Sequence, residues 1–351
     1  MLSKHLIGIL RGEGVGPSLL DASLLILDRV GALSGCKFEV RFGGEIGCES
    51  ARRGLGYLPG DVVEFARSIF ADGGALLAGA GGGRFVYEMR HEFALFHKLN
   101  PIHSYPELAG ACRLKSPPEP VDILVVRENL HGLYQGEAEE SLTDDGREIR
   151  HTFRQAEKQV RNVLEVAASA ASGRRKKLTV VCKDAGLPVL HSLWRDCAEE
   201  VAAGRNLTLE FLDIDYAVYK LVQEPWKFDV VAAPNCFGDI LADLGGVIAG
   251  ARGLTYGGSF SKTGAAVYQT NHGAAYDLTG TDVANPVGQI LSLAMLLRMS
   301  FGLQRESNAI EQAVQTAWRD GWRTADLPEA GTRCVGTAEF AARVVERLAA
   351  P

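Results

Sequence analysis

Asp239 and Asp243 stand four residues apart in 235-NCFGDILADLGG-246, a stretch otherwise apolar and glycine-rich. If residues 238–250 are helical, the two carboxylates lie one turn apart on a single face, where like charges repel. Three uses fit such a pair: a solvated polar face, an anion-favouring helix N-terminus, or half of a metal site. Upstream, 211-FLDIDYAVYKLV-222 adds Asp213 and Asp215 at a strand end. Taken alone, Asp215 is a candidate helix N-cap. Counted with Asp239 and Asp243 it is a third hard oxygen donor, and such a set suits Mg2+ or Mn2+ better than zinc.

Side chains of this kind act only where elements hold them. Short apolar runs alternate with amphipathic stretches: 5-HLIGIL then 17-PSLLDASLLILDRV, 75-ALLAG then 84-RFVYEMRHEFALF, 177-KLTVVCK then 189-VLHSLWRDCAEEVA, and 228-FDVVAAP then 238-GDILADLGGVIAG. Strand followed by helix, repeated, predicts an α/β fold with a mostly parallel sheet and places chemistry at the loops that follow strands. Between Arg127 and about Arg154 the pattern breaks. There 133-LYQGEAEESLTDDGREIRHTF-153 reads as an extended polar hairpin with an Asp-Asp-Gly turn. Such an arm cannot bury a face of its own and is expected to clasp a partner subunit.

A chain of 351 residues exceeds the size at which one core stops growing, so two lobes are expected, joined by the chain crossing between them. The net charge of −6 argues against a nucleic-acid partner, and the basic block 174-RRKK-177 reads as a solvated loop. Seven cysteines, an odd number with no CxxC spacing, predict reduced, buried thiols and a cytoplasmic setting. No signal peptide is read in 1-MLSKHLIGILRGEG, and 283-VANPVGQILSLAMLL-297 is too short and too polar to span a bilayer, so no membrane partner is expected.

Read in order, several segments resemble the metal-dependent β-decarboxylating dehydrogenases, the family of isocitrate, 3-isopropylmalate, homoisocitrate and tartrate dehydrogenases. They are 12-GEGVGP-17, 126-VRENLHGLY-134, Lys183 after 178-LTVVC-182, 229-DVVAAPNCFGDILADL-244 and 264-GAAVYQTNHGAAYDLTGTDVANP-286, spread over nearly the whole chain. The resemblance implies a two-lobe isopropylmalate-dehydrogenase-like fold. Residues 1–97 and 252–351 would form a large cofactor-binding domain. Residues 98–251 would form a small dimerisation and metal-site domain, with the arm at about 133–154. It also implies a homodimer with shared active sites, in which Asp239 and Asp243 hold Mg2+ or Mn2+ together with Asp215 of the partner subunit. Lys183, likewise given across the interface, resembles the general-base side, with Asp215 close by, and Tyr134 resembles the general acid. Arg90 and Arg127 match arginines that grip substrate carboxylates. His272, Gly273 and Asn285 match adenosine-side contacts of NAD. Asp277 matches the acidic residue that takes the ribose diol, which disfavours NADP. The run 78-AGAGGG-83 lacks the spacing of a dinucleotide fingerprint and reads as a flexible substrate-side loop.

The chain departs from the family at the substrate. Asn100, in 98-KLNP-101, stands where the family has a third arginine, and Ala185 stands where it has an asparagine. Arg84 and Val86 occupy the positions that read the group on C3 of the malate. If Arg84 faces that group, the substrate is a malate with a polar or anionic C3 substituent such as carboxymethyl or phosphonomethyl. If Arg84 points to solvent, Val86 and Tyr87 would line an apolar pocket suited to an alkylmalate of the 3-isopropylmalate type. A catalytically silent regulatory subunit is the remaining alternative. Retention of Tyr134, Lys183, Asp215, Asp239 and Asp243 together argues against it.

Overall fold

The structure, a computed structural model, describes residues 4–112, 114 and 117–351. β1 (Lys4–Leu10) leads into α1 (Gly16–Ser34) and back to β2 (Lys37–Phe42). Then come α2 (Cys48–Arg52), α3 (Gly60–Ala71), β3 (Ala75–Ala78), α4 (Phe85–Glu92) and β4 (His97–His103). β5 (Asp122–Glu128) precedes a hairpin of β6 (Glu137–Thr143) and β7 (Gly146–Thr152). Helix and strand next alternate as α5 (Glu157–Ser172), β8 (Lys177–Cys182), α6 (Pro188–Ala202) and β9 (Thr208–Asp213). They continue as α7 (Ile214–Gln223), β10 (Val230–Ala233) and α8 (Asn235–Ala249). The chain closes with β11 (Tyr256–Phe260), β12 (Ala266–Thr270), α9 (Val287–Phe301), α10 (Gln304–Arg319) and α11 (Thr337–Arg347).

Two compact units form, the first from Met1–Leu95, Pro101–Ser116 and Gly245–Pro351, the second from Phe96–Asn100 and Pro117–Leu244. Within the first, the strands run β2-β1-β3-β12-β11, with β11 and β12 antiparallel and the rest parallel. Within the second, β5-β10-β8-β9 are all parallel. The mostly parallel α/β fold expected from the alternation of strand and helix is the one that forms. Continuous apolar runs such as 75-ALLA and 230-VVAA are buried at every residue, as strands covered on both faces must be. α9 is buried without interruption from Val287 to Leu297, so its lack of helical periodicity marks a core helix of the first unit.

The hairpin expected after Tyr134 is present, with Glu137 opposite Thr152 and Thr143 opposite Gly146. Leu142 and Ile149 on it are 86% and 58% exposed, so it buries no face within this chain. Among the described residues, no helix is long and apolar enough to cross a membrane.

Two expectations are corrected. The block 174-RRKK-177 is not simply solvated. Arg174 Nε donates to Asp229 Oδ1 at 2.8 Å, and its Nη2 donates to the Asp122 carbonyl at 2.8 Å. Arg175 donates to the carbonyls of Asp122, Trp226 and Phe228. The Asp229 side chain is only 2% exposed, and a buried carboxylate needs a cation beside it. The cysteines are all free, but only Cys182 and Cys197 are buried, while Cys334 is exposed and the others are half-buried.

His97 is buried in β4, its ring 4.4 Å from that of Phe96, and burial pushes its pKa down to about 4. A histidine whose folded pKa lies below its unfolded value takes up protons first in the unfolded chain. Stability is therefore complete above about pH 6.5 and declines as the pH falls towards 4, by at most about 3 kcal/mol. Urea unfolding at intervals between pH 7 and 4 should show this slope in the wild type. In His97→Gln the part owed to this residue should vanish.

Candidate active site

In the second unit the carboxyl ends of neighbouring parallel strands bring functional side chains together, as expected where such a sheet opens onto its loops. Ala233 of β10 pairs with Arg127 of β5, so the residues just past β10 meet Arg127. Cys182 of β8 pairs with Asp213 of β9, so Lys183 emerges beside Asp213.

Arg127 centres the first cluster, with its side chain 3% exposed. Nε and Nη2 donate to Asn235 Oδ1 at 3.0 and 2.7 Å, and Nη1 pairs with Asp239. Its guanidinium carbon lies 5.8 Å from the centre of the Tyr134 ring. Burial pushes the Tyr134 phenol above the ordinary tyrosine range, and hydrogen bonds to the side chains of Cys236 and Asp239 act in the same direction. The phenol therefore keeps its proton at neutral pH, as a general acid must. Asn235 Nδ2 also donates to the His131 carbonyl at 3.1 Å, tying the loop after β5 to the start of α8. In that loop buried Glu128 accepts from the backbone of Leu130 and His131, and its Oε1 lies 2.8 Å from His131 Nδ1.

Lys183 centres the second cluster. Its Nζ donates to Asp215 Oδ1 at 2.7 Å and to Asp213 Oδ2 at 3.1 Å. Asp215 and then Asp213 raise the lysine's pKa. In return the Asp184 backbone N–H, followed by Lys183, lowers that of Asp213, and Lys183 lowers that of Asp215. The residue preceding α7 is Asp213, while Asp215 lies in the helix's first turn, so Asp215 is not the N-cap.

Asp239 and Asp243 lie one turn apart on α8, Asp239 half-buried and Asp243 exposed. Both supply hard oxygen, the kind of donor that Mg2+ or Mn2+ takes. Asp215 is held by Lys183, and among the described residues no group of three or more carboxylate, histidine or cysteine side chains gathers as a metal cluster. Two carboxylates are thus offered here, and a complete set needs another donor.

The remaining candidates are placed as follows. Asn100 is buried in β4 of the second unit. In the first unit, Arg84 is exposed just before α4 and Arg90 is buried on that helix. Their guanidinium carbons lie 5.3 and 5.4 Å from the centre of the same Tyr87 ring. Val86 is half-buried and packs against the core cluster that includes Phe85, Met89 and Leu95. His272 Nδ1 lies 3.0 Å from the Gly273 carbonyl oxygen. Asp277 is exposed in the same loop. Asn285 donates to Asp326 at 3.1 Å and accepts from Val287 N at 3.0 Å.

Sequence reasoning missed Asn235, Cys236, Glu128 and Gly238. For Gly238 a signal existed, the lone glycine between an asparagine and an aspartate on a helix. A Cβ there would stand 2.8 Å from Arg127 Cγ and 2.9 Å from its Cβ, so α8 can pass the arginine only at a residue without a side chain.

A family model described as isocitrate/isopropylmalate dehydrogenase matches residues 6–344 of the chain. A 3-isopropylmalate dehydrogenase of Aquifex aeolicus is 32% identical, covering 99% of this chain and 98% of the relative. One of Bacillus licheniformis is 35% identical, covering 94% and 92%. Among solved structures, an isocitrate dehydrogenase from Methylococcus capsulatus is 27% identical with a TM-score of 0.86, covering 98% of this chain and 99% of that one.

The crowding at Gly238 makes a direct prediction. Gly238→Ala should lower stability by about 1–3 kcal/mol in urea unfolding, through overpacking against a side chain that cannot yield. Ile240→Ala, at an exposed position of the same helix, should change it by less than about 0.5 kcal/mol.

Proposed function

The chain belongs to the isocitrate/isopropylmalate dehydrogenase family, and on that premise we propose that it catalyses NAD-dependent, divalent-metal-dependent oxidative decarboxylation of a 3-substituted malate. The observation that carries this reading is the convergence of Arg127, Tyr134 and Asp239 within one cluster. It supplies a planar cation for a carboxylate, a phenol that retains its proton, and an oxygen donor for a metal.

Each residue has a role in this reading. Arg127 and Arg90 bind substrate carboxylates, and Asn100 contributes an amide where charge is not wanted. Asp239 and Asp243, with Asp215 of the partner subunit, hold Mg2+ or Mn2+. Lys183, reaching across the same interface, is charged as it stands; it takes part in removing the proton of the C2 hydroxyl after passing its own proton to water, with Asp215 close by. Tyr134 donates its proton to the carbon that has lost CO2. His272, Gly273, Asn285 and Asp277 hold the adenosine half of NAD. NAD held there would supply the hydride acceptor, and a metal at the aspartates would supply the Lewis acid that the loss of CO2 needs.

For the C3 substituent, the exposed guanidinium of Arg84 beside Tyr87 favours a polar or anionic group such as carboxymethyl or phosphonomethyl. An alkylmalate is the second reading, favoured by the identity shared with enzymes named 3-isopropylmalate dehydrogenase.

Two experiments test these proposals. With Mg2+ and NAD, kcat/KM should be higher for isocitrate or a phosphonomethyl analogue than for 3-isopropylmalate. Arg84→Ala should lower it for the anionic substrate by about tenfold or more, the loss of a hydrogen bond to a charged group. A preference for 3-isopropylmalate that Arg84→Ala leaves untouched would sink the anionic reading. Separately, Lys183→Ala and Asp239→Asn proteins should each be inactive and should regain partial activity when mixed under subunit exchange. No recovery in verified heterodimers would mean that the sites are not shared.

A further inference from the structure

Glu13, in the turn between β1 and α1, is a carboxylate 2% exposed. Burial pushes its pKa up. The backbone N–H groups of Cys48 (2.9 Å to Oε1), Glu49 (3.0 Å to Oε2) and Gly82, with the Tyr276 hydroxyl, outweigh that and leave it lowered and ionised. The donors come from three separate segments of the first unit: the start of α2, the glycine run 78-AGAGGG-83, and the loop that carries Asp277. The glycine run is therefore pinned, not a flexible loop as expected from its composition. Its Gly79 N donates to the Leu10 carbonyl and its Ala80 carbonyl accepts from Glu13 N, each at 2.8 Å.

Gly82 is the point on which these groups converge. A Cβ there would stand 2.3 Å from Tyr276 Oη, 2.5 Å from Glu13 Oε1 and 2.9 Å from Cys48 Sγ. The Asp277 loop is held in a conformation it would not choose alone. Ala275 has φ 43° and ψ 60°, left-handed for a residue with a side chain. On one side of it the Ala274 carbonyl accepts from Val15 N at 2.8 Å, and on the other Tyr276 reaches Glu13. Ala275 and Leu278 also pack on Val15, Leu19 and Ala284.

We infer that Glu13 and Tyr276 are positioning residues for the cofactor, the meeting of the Tyr276 hydroxyl and the Glu13 carboxylate over Gly82 fixing the strained loop that presents Asp277 to the ribose diol of NAD. The inference rests on the reading of Asp277 given above. A phenol one residue away from Asp277, tied to a buried anion, fixes that carboxylate's backbone without using any part of the carboxylate itself. The pair acts through Asp277, so its effect belongs in cofactor affinity and not in the chemical step.

Tyr276→Phe removes the hydroxyl and keeps the ring, at a residue 48% exposed, and so leaves the fold intact. In the protein without cofactor, amide hydrogen exchange at residues 275–280 should accelerate. The Kd for NADH, measured by fluorescence, should rise about tenfold or more, as expected for one lost contact to a charged group. KM for NAD should rise with it, while kcat stays within about twofold. Gly82→Ala, which crowds the same contact, should change Kd in the same direction. NADH affinity unchanged in both variants would overturn the inference and leave the cofactor reading standing. A wild-type protein that does not bind NADH would overturn both.

Discussion

A guanidinium with almost no exposure has to be met by acceptors on every side, and the second unit is arranged around that requirement at Arg127. One amide oxygen, Asn235 Oδ1, takes two of its N–H groups, and the Asp239 carboxylate takes another. Asn235, Gly238 and Asp239 stand at i, i+3 and i+4 of α8 and so share one face, the spacing at which helical neighbours meet. The order of residues in 235-NCFGD follows from this: an acceptor at the helix start, no side chain where the helix crosses the arginine, and a charge just beyond. Asp243 is one further turn along, so the face that holds the arginine also aligns the carboxylate pair.

The same packing decides the state of Tyr134. A cation 5.8 Å from the ring favours the phenolate, while burial and the negative charge of Asp239 favour the phenol. The net shift is upward, so burial and the carboxylate dominate. Arg127 is already neutralised by Asp239, which leaves little of its charge to act on the phenol. Lys183 shows the opposite arrangement, with two carboxylates on one ammonium, and all three groups there remain charged.

Much of this was legible in the sequence, and the failures share a cause. Alternation of strand and helix gives the sheet because buried parallel strands need continuous apolar runs, and the hairpin was readable from its polarity and its Asp-Asp-Gly turn. The carboxylate pair on α8 followed from spacing. What could not be read was any contact set by distant residues. Arg174 looked solvated because Asp229 lies 55 residues away. The side-chain directions of Val86 and Tyr87 could not be read because they depend on where α4 begins, which is Phe85, and both residues are half-buried there. The glycine run looked loose because its ties run to Leu10 and Glu13. Spacing says nothing of which subunit Asp215 serves, and its proposed place in a partner's site rests on the family resemblance alone.

The charges about Tyr87 bear most directly on what the chain acts upon. Arg84 and Arg90 place two guanidiniums against one aromatic ring, at 5.3 and 5.4 Å. Each is attracted to the ring, worth about 0.5–1 kcal/mol where exposed and more where buried, but the two cations repel one another. Water relieves that repulsion at Arg84, which is exposed. On the reading proposed, an anionic group entering beside Tyr87 would pair with Arg84, whereas an alkyl group would displace water from Arg84 and return nothing. In that reading Arg84 is the residue that would separate a polar C3 group from an apolar one. Phe85 and Met89 anchor the backbone of α4 in the core, so Arg84 would meet the C3 group from a fixed helix start, and the proposed anionic group depends on that residue.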